Sequence, residues 1–210
     1  MVDLANVEIG RLERGERDYA VASTARAFWP DPLFGFFSRN PLHEHRTVLP
    51  SFFRPVIGDA VRHGEVWVAR MDGRLIATAA WLPPGGMPRG PRRDSAIYAG
   101  AATVTLGGRH RVLGFRLLAE TDRRHPHELH WYLALLGVDP RWQGRGVGGA
   151  LLAPVLSRCD REGLPAYLET QKPENIVFYG RFGFAVKDEV RLPGAPPVWL
   201  LWRDPQDVAG

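Results

Sequence analysis

Apolar positions along this chain change period several times, and each change marks the edge of a predicted element. Val7 to Leu12 has the length and composition of a short strand. Glu16 to Trp29 then carries its apolar residues at helical spacing as far as the Pro30-Asp31-Pro32 break, which predicts an amphipathic helix. Leu42 to His63 predicts a second helical region, built around Pro50 and Pro55. From Gly64 the pattern becomes that of a hairpin, with Glu65 to Arg70 and Leu75 to Leu82 as strands and an Asp72-Gly73 turn between them. Pro83 to Asp94 is a loop rich in proline and glycine, followed by helical segments near Ser95 to Leu106 and Arg109 to Thr121. His130 to Val138 is apolar, aromatic and β-branched, the signature of a largely buried strand. Leu151, Leu152, Val155, Leu156 and Cys159 recur at helical spacing and give the next helix one buried face, with Pro154 read as a kink within it. A strand over 165 to 170, a short helix near 175 to 181, and strands over 183 to 190 and 198 to 203 complete the pattern.

The strand ending at Val138 and the helix carrying Leu151 are joined by Asp139-Pro140-Arg141-Trp142-Gln143-Gly144-Arg145-Gly146-Val147-Gly148-Gly149. A glycine-rich turn that opens directly into a helix presents unpaired N–H groups and a positive partial charge, so an anion is expected there. Glycines at 144, 146, 148 and 149 would let a pyrophosphate approach that backbone closely. Gly144-x-Gly146-x-x-Gly149 formally matches the dinucleotide fingerprint, and Glu169 falls about 20 residues beyond it, as a ribose-binding acid would. Asp139 to Gln143 nevertheless separate the strand from the first glycine, and the chain lacks the run of alternating strands and helices of a doubly wound sheet. The absence of a Gly-Lys-Ser/Thr ending excludes a nucleotide triphosphate P-loop.

Gln143-x-x-Gly146-x-Gly148 fits the Gln/Arg-x-x-Gly-x-Gly/Ala signature of the GNAT N-acetyltransferases, flanked by a strand and a helix as in that family. A second part of the resemblance lies in Leu168-Glu169-Thr170 and in Asn175 to Phe184, which is similar to the family's Asn-x-x-x-Tyr helix and the Gly-Phe entering the next strand. Within the superfamily the chain is most similar to puromycin N-acetyltransferase-like members, clearly so from about residue 130 onward and weakly before it. The resemblance implies an α/β (α+β) fold with a mixed central sheet flanked by helices. It also implies a helical insertion, 83 to 128, between the N-terminal hairpin and the acetyl-CoA strand, which suggests a lid over the acceptor. One domain over 1 to 210 is expected, with an acceptor-side half over 1 to 125 and an acetyl-CoA-binding half over 129 to 203.

Acetyl-CoA is the implied cosubstrate, held by Leu136, Gly137, Val138, Gln143, Gly144, Arg145, Gly146, Val147, Gly148, Gly149, Asn175, Phe178 and Tyr179. In the family, backbone N–H groups at the end of the strand, here around Leu136 to Val138, stabilise the charge that gathers on the thioester oxygen. Tyr179 is the implied proton donor to the leaving thiolate, since a phenol keeps its proton at neutral pH; its alternative is a packed tyrosine. Glu169 is the candidate base or a binder of the acceptor's ammonium group, with a structural acid as the alternative. Glu128, His127 and His130 are weaker candidates for a proton relay. Asn175 is a CoA contact, a helix N-cap, or both.

The expected function is transfer of an acetyl group from acetyl-CoA to a primary amine of a small molecule, with an antibiotic or aminonucleoside as its most specific version. Two alternatives stay open: acetylation of a protein lysine or N-terminus, and a non-catalytic acyl-CoA-binding regulator. Net charge is +4, but the arginines are spread and carry no recognition motif, so Arg89, Arg92, Arg93 and the looser set Arg109, Arg111, Arg116, Arg123 and Arg124 read as solvated faces rather than a nucleic-acid surface. His125-x-His127-x-x-His130 lacks a cysteine or a second well-spaced acid, and no metal is expected. The single cysteine, Cys159, sits on an apolar helix face and reads as core. No stretch approaches the roughly 18 apolar residues of a membrane helix, and no secretory leader is evident, so a cytoplasmic enzyme without a membrane partner, monomeric or homodimeric, is expected.

Overall fold

The computed structural model describes residues 6–29, 31–37, 41–105 and 111–207. Seven strands, β1 (Val7–Arg11), β2 (Glu65–Met71), β3 (Arg74–Leu82), β4 (Trp131–Val138), β5 (Ala166–Thr170), β6 (Ala185–Val190) and β7 (Val198–Arg203), form one sheet in the order β1-β2-β3-β4-β5-β7-β6. Only β4 and β5 run parallel; every other neighbouring pair is antiparallel. The helices are α1 (Arg17–Ala27), α2 (Pro32–Phe37), α3 (Pro41–His63), α4 (Pro91–Thr105), α5 (Arg111–Arg123), α6 (Val147–Glu162) and α7 (Pro173–Gly180). The mixed sheet with flanking helices is the expected class, and α4 and α5 are the helical insertion between the hairpin and β4.

Strand alternation sorts the core into two layers. Tyr132, Tyr167 and Leu200 pack toward α1 and α3 with Val21, Phe53 and Ile57. Trp131, Leu133, Leu168 and Leu201 pack on the opposite face against Leu151, Leu152, Val155 and Cys159 of α6. Cys159 is fully buried, and burial pushes its thiol up to about 12, so it is an inert part of this layer.

Prolines mark helix starts here more than helix stops. Pro32, Pro41, Pro91 and Pro173 each open a helix, where the missing N–H is an orphan in any case. Asp31, which the sequence assigns to a break, instead accepts a hydrogen bond from the Leu33 backbone N–H at 2.9 Å and leads into α2, a helix absent from the sequence reading. Likewise α4 begins at Pro91, inside the predicted loop, and α7 begins two residues before the predicted 175. Both α3 and α6 continue through their internal prolines, Pro50, Pro55 and Pro154. Pro30, Leu106 and Arg109 lie outside the described residues.

One arginine group is not the solvated face expected of it. Arg89 and Arg93 donate to the buried carboxylate of Asp59, at 3.1 Å from Arg89 Nε and 2.7 Å from Arg93 Nε. This cluster ties the start of α4 to α3. Arg124, from the looser set, pairs with Glu120 and Asp188 and so joins α5 to β6.

Candidate active site

The site begins where two strands part. The parallel β4–β5 ladder pairs Trp131 with Ala166, Tyr132 with Tyr167 and Leu133 with Leu168, and then stops. β3 stays paired with β4 as far as Val138, so the second half of β4 is held in place while its other edge opens into a cleft. This cleft, about 470 Å³, is lined by the strand end Leu136 to Val138, by Gln143, Gly144 and Gly146 of the turn, and by Val147 to Gly149 at the start of α6. Asn175, Phe178 and Tyr179 of α7 close its far side.

The turn between β4 and α6 is fixed by its own side chains. Asp139 accepts from the Arg141 backbone N–H and from Arg26 Nε at 2.9 Å, and Gln143 Nε2 donates to the Val138 carbonyl at 2.9 Å. Gly144 and Gly146 have φ of +71° and +84°, a region that side-chain-bearing residues rarely adopt, and Gly146 is the N-cap of α6. The first N–H groups of α6 therefore face the cleft without a side chain above them.

Two of the four glycines, which line the cleft, also serve packing. A Cβ at Gly149 would lie 2.6 Å from Cζ of Phe182, and one at Gly148 would lie 3.2 Å from Cζ of Phe178. They permit α6 to pack against the aromatic rings that follow it. Arg145 is exposed, its guanidinium 5.2 Å over the Trp142 ring, and is not among the residues lining the cleft.

Tyr179 projects from α7 between the rings of Phe178 and Phe184, with centroids 5.0 and 5.8 Å away. It is 6% exposed, and burial raises its pKa well above the ordinary value, so the phenol holds its proton throughout the neutral range. Asn175 is not the N-cap of α7; that position is Lys172, and the Asn175 amide instead donates to Thr170 Oγ1 at 2.8 Å, tying α7 to the end of β5.

Glu169 lies on the other side of the sheet from Leu168, on the face it shares with Tyr132 and Tyr167. Its Oε2 accepts from the Tyr132 hydroxyl at 2.7 Å, and its Oε1 is 3.5 Å from His125 Nδ1. Burial opposes its charge, but His125 and the Tyr132 hydroxyl outweigh that and hold the carboxyl below the usual glutamate value. The carboxylate lines a second cavity, of about 230 Å³, whose walls include Phe34, Phe52, Ile97 and Phe115. Asp94, Asp122 and Arg89 also reach it, and the Tyr98 hydroxyl donates to Asp122 at 2.7 Å, linking α4 to α5. Phe28, just beyond α1, lines both cavities and so marks where they adjoin.

The histidine motif resolves unevenly. His125 and His130 are buried and face one another, whereas His127 and Glu128 are exposed, Glu128 pairing with Lys187. His125, Tyr132, Tyr167, Arg89 and Phe28 escaped the sequence reading as site residues. The strand period carried part of the signal, since Tyr167 and Glu169 stand two apart on β5. Among the described residues no group of His, Cys, Asp or Glu is placed to hold a metal, and no helix is long and apolar enough to cross a membrane.

Comparison with known proteins agrees with this fold. The family model described as acetyltransferase (GNAT) matches residues 25–184. An uncharacterised N-acetyltransferase of Schizosaccharomyces pombe is 35% identical over 93% of this chain and 83% of its own length. Among solved structures, one from Corynebacterium glutamicum, described as histone acetyltransferase HPA2 and related acetyltransferase, superposes with a TM-score of 0.69 at 22% identity, over 98% of this chain and 99% of that one. A Drosophila melanogaster polyamine N-acetyltransferase, described as catalysing the formation of N-acetylagmatine, gives 0.58 at 18% identity, over 94% of this chain and 99% of that one. The family model spans more than half of the chain and the Schizosaccharomyces pombe relative is matched over most of both lengths, so the chain belongs to the GNAT acetyltransferase family.

Proposed function

We propose that this enzyme transfers the acetyl group of acetyl-CoA to the primary amine of a small molecule held in the aromatic cavity, by direct attack with both substrates bound at once. The observation that carries this reading is the adjacency at Phe28 of a cleft built on helix N–H groups and a cavity built on Glu169 and aromatic walls. The cleft suits a CoA pyrophosphate because Gly144 and Gly146 leave the N–H groups at the start of α6 uncovered. Acetyl-CoA supplies the activated acetyl group.

Each remaining requirement falls to a residue of the chain. Backbone N–H groups on the unpaired edge of β4, around Leu136 to Val138, face developing negative charge. Tyr179, kept protonated by burial, donates to the departing sulfur. Glu169 binds the acceptor's ammonium group and takes its proton. Residues 1 to 125 supply most of the acceptor cavity's walls, while 129 to 203 supply most of the acetyl-CoA cleft together with Glu169, within a single domain.

The cavity favours a small amine over a protein substrate, because it is enclosed by aromatic rings of the insertion and of α3 and holds only about 230 Å³. An aminonucleoside or antibiotic with an aromatic body suits such walls, in keeping with the puromycin N-acetyltransferase-like resemblance. The Drosophila relative's action on a small cationic amine supports the same class of acceptor. The test is release of free thiol from acetyl-CoA against a panel of amines that includes puromycin, agmatine, spermidine and a lysine-bearing peptide. Turnover with a small amine is expected. Turnover with the peptide alone would move the function to protein acetylation, and acetyl-CoA binding without thiol release from any amine would make the chain a regulator.

A further inference from the structure

Arg89 is a buried cation with more donors than partners. Its side chain is 9% exposed, yet among the described residues only its Nε is hydrogen-bonded, to Asp59 Oδ2 at 3.1 Å. Asp59 is already matched by Arg93, which gives Nε to one carboxylate oxygen at 2.7 Å and Nη2 to the other at 2.9 Å, while its Nη1 donates to the Gly86 carbonyl at 3.1 Å. One carboxylate therefore serves two guanidinium groups, and the charge left over belongs to Arg89. Burying a charge is costly unless it is paired. Nη1 and Nη2 of Arg89 find no acceptor among the described residues and are not sealed off, so both open into space. That space is the cavity beside Glu169, where Arg89 is the only basic residue among the described walls.

Arg89 and Glu169 meet at one side chain. The guanidinium stands 5.9 Å over the Tyr132 ring, and the carboxylate accepts from the Tyr132 hydroxyl at 2.7 Å. Glu169 favours the charge on Arg89, but the carboxylate paired with Arg89 is that of Asp59, outside the cavity. A cationic fork and an anion, close together and not joined, complement a ligand that carries both charges. A guanidinium matches a carboxylate with two parallel N–H···O bonds, and the rings of Phe34, Phe52 and Phe115 offer an apolar body its place.

We infer that the acceptor is an α-amino acid with an apolar or aromatic side chain, its carboxylate held by the free end of Arg89 and its ammonium group by Glu169. The ammonium and the carboxylate belong on one carbon because their two partners share Tyr132. This narrows the proposed acetyl transfer to one substrate class and rests on that reading. The step balances: the N–C bond of the amide forms as the thioester C–S bond breaks, and the ammonium loses two protons. One ends on the thiol of CoA and the other passes through Glu169 to solvent, leaving an N-acetylamino acid. Arg89 holds the substrate and takes no part in the proton transfer. Asp94 and Asp122 line the same cavity from the insertion, and Asp122 accepts from the Tyr98 hydroxyl at 2.7 Å. They repel a carboxylate everywhere but at Arg89, which fixes the direction in which the ligand lies.

The test compares phenylalanine with phenethylamine, which lacks only the carboxylate, and with agmatine, which carries a second cation instead. In thiol release by the wild type, kcat/KM is expected to be about tenfold or more higher for phenylalanine than for either amine, the scale of hydrogen bonds to a charged group. Equal or better use of phenethylamine or agmatine overturns the inference. Arg89→Met removes the guanidinium and leaves Arg93 to hold Asp59. The ratio of kcat/KM for phenylalanine to that for phenethylamine is expected to fall toward one in this variant. A purely structural role would lower both values alike, and an unchanged ratio overturns the assignment of Arg89. If Arg89→Met does not fold, the wild-type comparison still decides. Calorimetry with CoA present gives a readout without chemistry, in which phenylalanine is expected to bind about tenfold or more tighter than phenethylamine. Such selective binding without thiol release would remove the acetyl transfer and keep the ligand class. Acetylation of another amine by a protein that neither binds nor acetylates phenylalanine would keep the transfer and overturn this inference.

Discussion

The Tyr132 hydroxyl reaches Glu169 Oε2 at 2.7 Å across the point where β4 and β5 separate. Tyr132 is paired in register with Tyr167, and Glu169 is the first residue of β5 beyond the last paired position. One hydrogen bond therefore bridges the mouth of the fork and fixes the carboxylate at the second cavity. Tyr132→Phe keeps the ring and removes that bond. A hydrogen bond to a charged group is worth roughly 1.5 to 3 kcal/mol. Glu169's pKa is depressed in the folded state, so the contribution is present above the ordinary glutamate value of 4.5 and lost as pH falls through the folded value. Denaturant unfolding should show the variant less stable at pH 7 and closer to wild type in acid. An equal gap at both would mean that Glu169 is not held as a carboxylate.

Asp59 gives a second prediction with the same sign. Burial opposes its charge, yet Arg93 and Arg89 keep its carboxyl below the usual 3.8. Asp59→Asn leaves two guanidinium groups facing a neutral amide, Arg89 with a side chain 9% exposed. Breaking a buried pair from one side costs on the order of 3 to 5 kcal/mol. Urea unfolding at neutral pH should show a loss of that order, shrinking below about pH 4 as wild-type Asp59 takes up its own proton. Arg89 also stands 5.9 Å over the Tyr132 ring, so acceptor affinity should fall along with stability.

The glycines of the turn separate binding from packing. Gly146→Asp places a carboxylate and a side chain at the N-cap of α6, where an anion is to be bound, and should weaken acetyl-CoA binding severely in calorimetry. Near-normal affinity in a folded protein would remove the phosphate from this turn. Gly149→Ala should act oppositely, because its Cβ would press on the Phe182 ring at 2.6 Å. Overpacking of this kind costs about 1 to 3 kcal/mol, so the melting temperature should fall more than the cofactor affinity.

These contrasts also show what the sequence could reveal. The glycine turn was legible because conformation and chemistry are written in adjacent residues, and β4 and α6 because each buries one face at its own period. The packing roles of Gly148 and Gly149 were not, since they depend on Phe178 and Phe182, about 30 residues away in the chain. Proline was misread for a local reason: at the first turn of a helix it lacks nothing the helix needs, so Pro32 and Pro91 begin helices that composition alone would end. The second cavity was least legible of all. Phe28, Arg89, Tyr98, Asp122 and Glu169 come together only when α1, the insertion and β5 are folded against one sheet face, and no short window of sequence contains that meeting.

The last prediction concerns Tyr179→Phe, which removes one oxygen and leaves the ring among Phe178 and Phe184. Among the described residues the hydroxyl has no hydrogen-bond partner, so folding should change by less than about 1 kcal/mol, the scale of a single neutral hydrogen bond. Burial alone raises the phenol's pKa, so at neutral pH the group can give a proton but cannot take one. If that proton goes to the departing sulfur, kcat should fall by about 10² or more while acetyl-CoA binding is little altered, because the interaction strengthens only as charge develops. An acetyl donor with a less basic thiol needs the proton less and should recover part of the loss. Wild-type turnover in the variant, with the chemical step shown to be rate-limiting, would reduce Tyr179 to a wall of the cleft and assign protonation of the sulfur to water.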